Sequence, residues 1–234
     1  MPLTSEQWYR RDPKSVGEIE ADLRTGYPNL HLYLTDGADA EVRGTFPVRS
    51  SAGRELDAYQ IAIRLPPNFP RTLPEVRETR GRIPWHADYH VNADGTCCVL
   101  LPEDRGRCFP EGAPFKRYLD GPLHNFFLGQ SLVALGERWP FGEWGHGKEG
   151  VCQFYRDLFK TDDPGTIVRF LEVLTKRNAK PQWQCPCGSG KKIRKCCESK
   201  ITEFRRLVPP AIARKSAEQL GLRSAPVASQ AREE

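Results

Sequence analysis

The C-terminal third of the chain contains a cysteine cluster that strongly restricts how this part can fold. Cys185 and Cys187 are separated by one residue, Cys196 and Cys197 are adjacent, and a Gly-Ser-Gly turn at 188–190 lies between the two pairs. Four thiolates suit a closed tetrahedral zinc site with Zn–S distances of about 2.3 Å. Because so short a segment has no core of its own, we predict a zinc knuckle that folds mainly through its structural metal.

The composition indicates a soluble globular protein with reduced cysteines. Hydrophobic residues make up 38% of the 234 residues and include five Trp and eleven Phe, which is enough to build a buried core. No apolar run approaches the roughly 20 residues of a membrane span, and residues 1–11 lack the apolar core of a signal peptide. We therefore expect a cytoplasmic protein without disulfides, in which Cys108 and Cys152 are small buried residues.

Positive charge is concentrated in the C-terminal part of the chain. Twelve residues between Lys176 and Lys215 are Lys or Arg, whereas Glu198 and Glu203 are the acidic residues of this stretch. Such a region can attract an acidic protein, nucleic acid or an anionic lipid, and a merely solvated surface is an equally good interpretation. We expect residues 201–234 to form a basic helical tail that is partly disordered.

The pattern of apolar residues predicts an α+β fold for residues 1–178. A short helix with Ser15 as its N-cap and Glu18 completing a capping box is expected over Ser15–Arg24. The predicted strands are Leu30–Leu34, Ala40–Val48, Ala58–Leu65 and Glu75–Thr79. The predicted later helices are Leu123–Leu135, Gly150–Phe159, Pro164–Lys176 and, interrupted by Pro209-Pro210, Glu203–Leu220.

Two loops carry the residues of most chemical interest. The first, Leu65–Pro74, is rich in proline and must follow a fixed extended path between two strands. The second contains the tight turn Asp94-Gly95, which presents Cys97 and Cys98 at the edge of the fold. Since consecutive residues of an extended segment point to opposite sides, one thiol is expected inside and the other in solvent. An exposed thiol of this kind can act as a nucleophile.

The order and spacing of these loops resemble the ubiquitin-conjugating enzyme family over about 15–159. The segment Pro66-x-x-Phe69-Pro70-x-x-Leu73-Pro74 is similar to the family's Pro-x-x-Tyr-Pro-x-x-Pro-Pro motif. His90-Val91-Asn92, followed by Gly95-Thr96-Cys97-Cys98-Val99, is similar to its His-Pro-Asn and Gly-(small)-x-Cys-Leu motifs. The resemblance implies an N-terminal helix, a four-stranded antiparallel meander and C-terminal helices. Val91 in place of proline, and a shortened loop before the thiol, are closer to divergent bacterial members.

The resemblance also implies a chemistry for this loop. An activating enzyme would hold a ubiquitin-like protein as a thioester, Cys98 would take over the acyl group, and an amine of a protein target would then attack it. By the same resemblance, Asn92 donates a hydrogen bond to the oxyanion and His90 holds the loop in shape. A role in bacterial defence is a possible extension of this chemistry.

The cysteine cluster, with its surroundings at 179–200, resembles the SEC-C motif, which is named for the C-terminus of a protein-translocase ATPase. The resemblance implies a structural zinc bound by Cys185, Cys187, Cys196 and Cys197. It also implies an interaction surface. Combined with the excess of Lys and Arg, this makes an acidic partner of the C-terminal module a natural expectation.

Several alternatives stay open at this point. The chain could be an inactive adaptor that binds a ubiquitin-like protein, or a thiol hydrolase in which Cys98 works with a histidine base. Glu103 or Asp104 could help to deprotonate an incoming lysine, although a solvated loop carboxylate is the simpler interpretation. A second zinc site is the last alternative, and its ligands would be His86, His90, Cys97 and Cys98.

Overall fold

The chain forms two compact units, residues 1–143 and 144–234. The computed structural model describes residues 7–37, 39–141, 145 and 147–222. The first unit contains the β-sheet, and the second contains helices and the cysteine cluster. This division falls earlier in the chain than the predicted boundary after residue 178, because the predicted helices at 150–159 and 164–176 belong to the second unit.

The first unit is built on a four-stranded antiparallel sheet in which the strands follow one another in sequence order. Its strands are β1 (Leu30–Tyr33), β2 (Ala40–Arg49), β3 (Glu55–Leu65) and β4 (Glu75–Glu78). In the long β2–β3 hairpin, Val42 lies opposite Ile63 and Phe46 lies opposite Tyr59. The predicted alternation along β3 is confirmed, since its buried face consists of Tyr59, Ile61, Ile63 and Leu65.

Five α-helices of the first unit lie among the described residues. They are α1 (Trp8–Arg11), α2 (Pro13–Gly26), α3 (Arg105–Cys108), α4 (Phe115–Tyr118) and α5 (His124–Ala134). The prediction that Ser15 caps the first long helix is wrong. Asp12 is the N-cap of α2, and its carboxylate accepts from the backbone N–H of Ser15 at 3.1 Å. An Asp-Pro pair favours this earlier start, because proline suits the first helical position.

Aromatic packing holds α5 against the sheet. Phe127 of α5 lies 4.7 Å from the ring of Tyr59 and 5.6 Å from the ring of Phe46, and Phe46 stacks on Tyr27 at 5.4 Å. A π-helical turn at Leu119–Leu123 leads into α5, so the helix begins one residue later than predicted. These buried rings form the centre of the core of the first unit.

A polar cluster at the start of β3 ties the sheet to α5. The carboxylate of Asp57 accepts two hydrogen bonds from Arg82, at 2.9 and 3.0 Å, and one from the Ser131 hydroxyl at 2.8 Å. The guanidinium of Arg82 also lies over the ring of Tyr59, 4.2 Å from its centroid. Burial opposes the charge of Asp57, but the bonds from Arg82 and Ser131 outweigh it and lower the pKa of this carboxyl to about 2.

We expect this cluster to make stability depend on pH in a defined window. Because the pKa of Asp57 is about 2 when folded and roughly 3.9 when unfolded, its contribution is complete above about pH 4 and is lost as the pH falls toward 2. Asp57→Asn should therefore lower the free energy of unfolding at pH 7. The difference between variant and parent in urea unfolding should shrink at pH 2.5; a constant difference would contradict this assignment.

The second unit contains four α-helices among the described residues: α6 (Lys148–Phe159), α7 (Pro164–Thr175), α8 (Glu198–Leu207) and α9 (Pro210–Gln219). The break at Pro209-Pro210 is as predicted. Phe159 stacks on Phe170 at 4.8 Å and packs on Phe204 at 5.1 Å. This contact between α6, α7 and α8 explains why the two earlier helices belong to the second unit.

Arg205 of α8 closes the C-terminal end of α7. Its guanidinium donates to the carbonyls of Val173, Lys176 and Arg177 at 2.7–3.0 Å. Unpaired carbonyls at the end of a helix are thereby satisfied. Partial disorder was predicted for 201–234. Residues 223–234 of this range lie outside the described residues. In the part of the chain that the structure describes, no helix has both the length and the apolar character needed to cross a bilayer.

Candidate functional site

The loop that carries Cys98 is a tight turn closed by its own hydrogen bonds. The backbone N–H of Asn92 donates to the Thr96 carbonyl at 2.8 Å, and the N–H of Gly95 donates to the Asn92 carbonyl at 2.9 Å. Gly95 has φ +81°, and a Cβ there would lie 2.7 Å from the exposed indole of Trp85. Both the backbone angle and the close indole require glycine at this position, which agrees with the predicted Asp94-Gly95 turn.

The two adjacent cysteines have different environments. Cys97 is half-buried, and its backbone N–H donates to the Val76 carbonyl of β4 at 2.8 Å, while burial raises the pKa of its thiol to about 12. Cys98 is exposed, and its backbone N–H donates to the His90 carbonyl at 2.7 Å. Near neutral pH the accessible nucleophile of this pair is therefore Cys98.

Asn92 contacts the thiol of Cys98 through its side-chain oxygen. The Sγ of Cys98 donates to Oδ1 of Asn92 at 3.4 Å, while the amide nitrogen of Asn92 donates to the Thr96 hydroxyl at 2.9 Å. Partial desolvation by the surrounding loop raises the pKa of Cys98 above its ordinary value, the Asn92 hydrogen bond opposes this rise, and the negative charge of Asp94 adds to it. The oxyanion role of Asn92 stays a prediction, and it requires the amide to turn so that its N–H groups face the oxygen of the reacting carbonyl.

His90 is held between the loop and an indole whose role was not predicted from the sequence. Its backbone is left-handed, with φ 52°, and its ring lies 4.5 Å from that of Trp139. Trp139 in turn lies directly on Gly129 of α5, where a Cβ would come within 2.5 Å of the indole. The sequence contains one indication of this contact, because a glycine such as Gly129 inside a helical pattern often marks a close approach of another group. His90 therefore supports the loop through its carbonyl and its ring.

The second zinc site proposed from the sequence is not formed. Within the described ranges, the one group of His, Cys, Asp or Glu with converging ligand atoms is the C-terminal cysteine cluster. His86 is exposed, and its Nδ1 lies 3.3 Å from the carboxylate of Asp88. The ring of His90 is packed on Trp139. The ligand atoms of His86, His90, Cys97 and Cys98 therefore do not converge as a metal site requires.

The segment after Cys98 is clamped to the proline-rich loop. Arg105 is buried and donates to the carbonyls of Pro70 and Arg71, and to the Phe109 carbonyl at 3.3 Å. Glu103, interpreted from the sequence as a solvated loop carboxylate, is only 4% exposed. That interpretation is wrong for Glu103, because the short helical turn at Pro102–Asp104 directs it inward.

The four sulfurs of the cysteine cluster converge on one point. Cys187 Sγ lies 3.3 Å from Cys185 Sγ and 3.5 Å from Cys196 Sγ, and the sulfurs of Cys196 and Cys197 are 3.7 Å apart. All four lie within 4.8 Å of one another. Tetrahedral zinc with Zn–S bonds of about 2.3 Å places its ligands about 3.8 Å apart. The cluster can therefore hold a metal ion without a large rearrangement.

Local backbone contacts bring the two cysteine pairs together. The N–H of Cys185 donates to the Lys191 carbonyl at 2.8 Å, and Gly188, with φ +80°, donates to the Cys185 carbonyl at 3.2 Å. Burial opposes ionisation of Cys187, but hydrogen bonds from Ser189 and from the neighbouring thiols lower its pKa to about 6. The turn thus stabilises a thiolate, which is the form that binds metal.

The cluster is anchored to the helices of its own unit. Arg169 of α7 donates to the Pro186 carbonyl at 2.9 Å. Cys197 directly precedes α8, and its carbonyl accepts from the N–H of Ile201 at 2.9 Å. The exposed face of the cluster is basic, and its cations are Lys191, Lys192, Arg194 and Lys195.

Comparisons with known proteins give a partial match. The chain is 51% identical over 45 residues to the uncharacterized protein YccF of Bacillus subtilis (strain 168), and the match covers 19% of this chain and 10% of that protein. No family model and no solved structure matches the chain. The match thus spans only about a tenth of the length of that relative.

Proposed function

We propose that the chain is a transferase of the ubiquitin-conjugating type, in which Cys98 carries the acyl group of a ubiquitin-like protein. The supporting observation is the contrast between two neighbouring thiols. Cys98 is exposed beside the Asn92 amide, whereas Cys97 packs inward. The helix, the four-stranded antiparallel sheet and the subsequent loop follow the order expected for such an enzyme.

In the first step, the Cys98 thiolate attacks the thioester carbonyl at the C-terminus of the ubiquitin-like protein. A new Sγ–C bond forms, the donor's S–C bond breaks, and the donor leaves as a thiol that takes up the proton released by Cys98. In the second step, an amine of the target attacks the carbonyl, and Cys98 leaves and is reprotonated. Both steps need a donor for the oxyanion, and a turned Asn92 amide could supply it.

The cysteine cluster is proposed to bind a structural zinc. Its donor set consists of four sulfurs with no open position for a substrate, which is typical of a structural site. The bound tetrathiolate would carry negative charge, and the exposed Lys and Arg residues around it would offset that charge. The partners implied are a ubiquitin-like protein, its activating enzyme, a target with a free amine and an acidic protein that binds the basic face, all in the cytoplasm.

The direct test bypasses the activating enzyme. Ubiquitin carrying a mercaptoethanesulfonate thioester at its C-terminus is incubated with the protein, and the products are separated without reductant. We expect an adduct that disappears on addition of dithiothreitol, is absent in Cys98→Ala and persists in Cys97→Ala. Cys98→Ser should give a small amount of a reductant-resistant ester, because oxygen replaces sulfur as the acceptor atom.

The position of the adduct decides between the possible outcomes. An adduct on Cys97, or equal loss in both alanine variants, would contradict the assignment of Cys98. If ubiquitin thioester fails, the same experiment with other β-grasp proteins ending in Gly-Gly distinguishes modifier specificity from absence of chemistry. Failure with the whole panel would overturn the transferase proposal.

An inactive adaptor is the second candidate function. The observation in its favour is that the Asn92 oxygen, and not its N–H groups, faces Cys98. In that case a ubiquitin-like protein should bind without forming an adduct, and Cys98→Ala should leave its affinity unchanged. The hydrolase alternative is less well supported, because the hydrogen-bond partner of Cys98 Sγ is an amide oxygen and not an imidazole.

A further inference from the structure

A chain of side-chain hydrogen bonds runs from Cys98 to a carboxylate. Cys98 Sγ donates to Asn92 Oδ1 at 3.4 Å, and the Asn92 amide nitrogen donates to the Thr96 hydroxyl at 2.9 Å. That hydroxyl donates to Asp94 Oδ1 at 2.6 Å. Each group in the chain has one direction of donation, so the orientation of the Asn92 amide is determined by the Thr96 hydroxyl.

The carboxylate sets that direction. Asp94 also accepts from the backbone N–H of Thr96 at 2.9 Å, and its pKa is lowered chiefly by the Thr96 hydroxyl bond, so the carboxylate is ionised and acts only as an acceptor. The Thr96 hydroxyl must therefore donate its hydrogen bond to Asp94 and accept the one from Asn92. This arrangement favours the amide nitrogen on the Thr96 side and the amide oxygen on the Cys98 side.

We propose that Thr96 is a positioning residue that holds the Asn92 amide with its oxygen toward the Cys98 thiol until an incoming acyl group turns the amide. This inference rests on the proposed function of Cys98. In the turned state, the amide N–H groups face the reacting carbonyl and Oδ1 faces Thr96. The hydroxyl then donates to Oδ1, while Asp94 keeps the backbone N–H of Thr96. The Thr96–Asp94 bond favours the first state, and serine at residue 96 can provide the same hydroxyl.

The charged groups around the thiol have assigned places in this scheme. Arg77 of β4 donates to the Asp94 carbonyl and lies 3.8 Å from the Asp94 carboxylate, so the negative charge nearest the thiol is partly balanced. Cys97 is half-buried, its pKa is raised to about 12 by desolvation, and it stays neutral near pH 8. His90 contributes its carbonyl to the backbone N–H of Cys98, and its ring lies on Trp139.

The test measures the reactivity of Cys98 without any ubiquitin-like protein. The full-length protein is alkylated with iodoacetamide between pH 6 and 10, and the tryptic peptide 83–105 is analysed by mass spectrometry with fragmentation, which separates Cys98 from Cys97. We expect Thr96→Val to raise the alkylation rate of Cys98 at pH 7.5 by about three- to tenfold, because the released amide can turn its N–H groups toward the thiolate. Thr96→Ser should keep the parent profile.

A double variant separates this role from a general structural one. In an Asn92→Ala background, Thr96→Val should cause no further change in the alkylation rate. An unchanged rate in Thr96→Val, or an equal increase with and without Asn92, would overturn the proposal. If valine opens the turn, which labelling of Cys97 would reveal, the comparison of Thr96→Ala with Thr96→Ser decides, and equal rates for the two would also overturn it. Since no acyl donor is present, the outcome is independent of whether Cys98 forms a thioester.

Discussion

Replacing both Cys185 and Cys187 by serine is expected to remove about one zinc ion per chain and to unfold the cysteine cluster. Structural zinc in isolated knuckles contributes on the order of 10–16 kcal/mol of apparent binding free energy at neutral pH. The cluster has little else to replace it, because Ile193 is the main apolar side chain that it buries between the two cysteine pairs. Without the metal, the entropy cost of ordering this segment would exceed the stabilisation from its remaining contacts.

The loss should extend into the neighbouring helices. The Pro186 carbonyl accepts from Arg169 of α7, and the Cys197 carbonyl accepts the first backbone bond of α8. We therefore expect the double variant, or the parent treated with a chelator, to lose helical circular dichroism. The fluorescence of Trp183 should also change, since its carbonyl accepts from the N–H of Ile193.

The control for this experiment is Cys152→Ser in α6 of the same unit. Cys152 is half-buried and is not part of the converging sulfur group. The Cys152→Ser variant should retain the full metal content, measured by mass spectrometry, and an unchanged circular dichroism spectrum. Zinc retained in the Cys185 and Cys187 double variant would show that the metal is bound elsewhere. Loss of zinc without any change in helix content would show that the site is not structural.

The parts of the fold that could be predicted from sequence are those determined by local spacing. All four ligands of the cysteine cluster lie within 13 residues, Cys185 to Cys197, so their convergence needs only a turn. The alternation in β3 likewise follows from the two-residue period of a strand. The N-cap of α2 was missed because Asp12 and Ser15 both suit the position, and only Asp12 allows Pro13 to be the first helical residue.

The parts that could not be predicted depend on contacts between distant residues. Arg105 resembles a surface residue in sequence, yet it is buried because it satisfies carbonyls of the proline-rich loop 34 and 35 residues earlier. The grouping of α6 and α7 with α8 depends on the contact of Phe159 with Phe204. The support of His90 depends on Trp139, which lies beyond the end of α5.

Gly129→Ala is expected to displace Trp139 and thereby weaken the loop that carries Cys98. An alanine Cβ would lie 2.5 Å from the nearest indole atom, so the ring must move away from α5. The helix cannot retreat, because Phe127 is packed between Phe46 and Tyr59 of the sheet. Forcing extra volume into a packed site costs about 1–3 kcal/mol, which urea unfolding of the variant should reveal.

The displacement should also reduce acyl transfer to Cys98. Without the indole at 4.5 Å, the left-handed backbone of His90 loses the packing that holds it, and the His90 carbonyl that accepts from the Cys98 N–H is no longer fixed. A misplacement of about 1 Å in a reacting group can lower the rate by up to about 100-fold, so we expect a loss of roughly 10- to 100-fold. The time course of adduct formation with ubiquitin thioester measures this effect.

Two further variants show whether the indole is the cause. Gly17→Ala in α2 places a Cβ in open space and should stabilise the protein by up to about 1 kcal/mol, with no change in adduct formation. Trp139→Leu combined with Gly129→Ala should relieve the crowding, so stability should recover while adduct formation stays low, because leucine cannot replace the ring that packs on His90. Normal adduct formation in Gly129→Ala would mean that the Cys98 loop holds its conformation without Trp139, and that the contact of Trp139 with His90 stabilises only the fold.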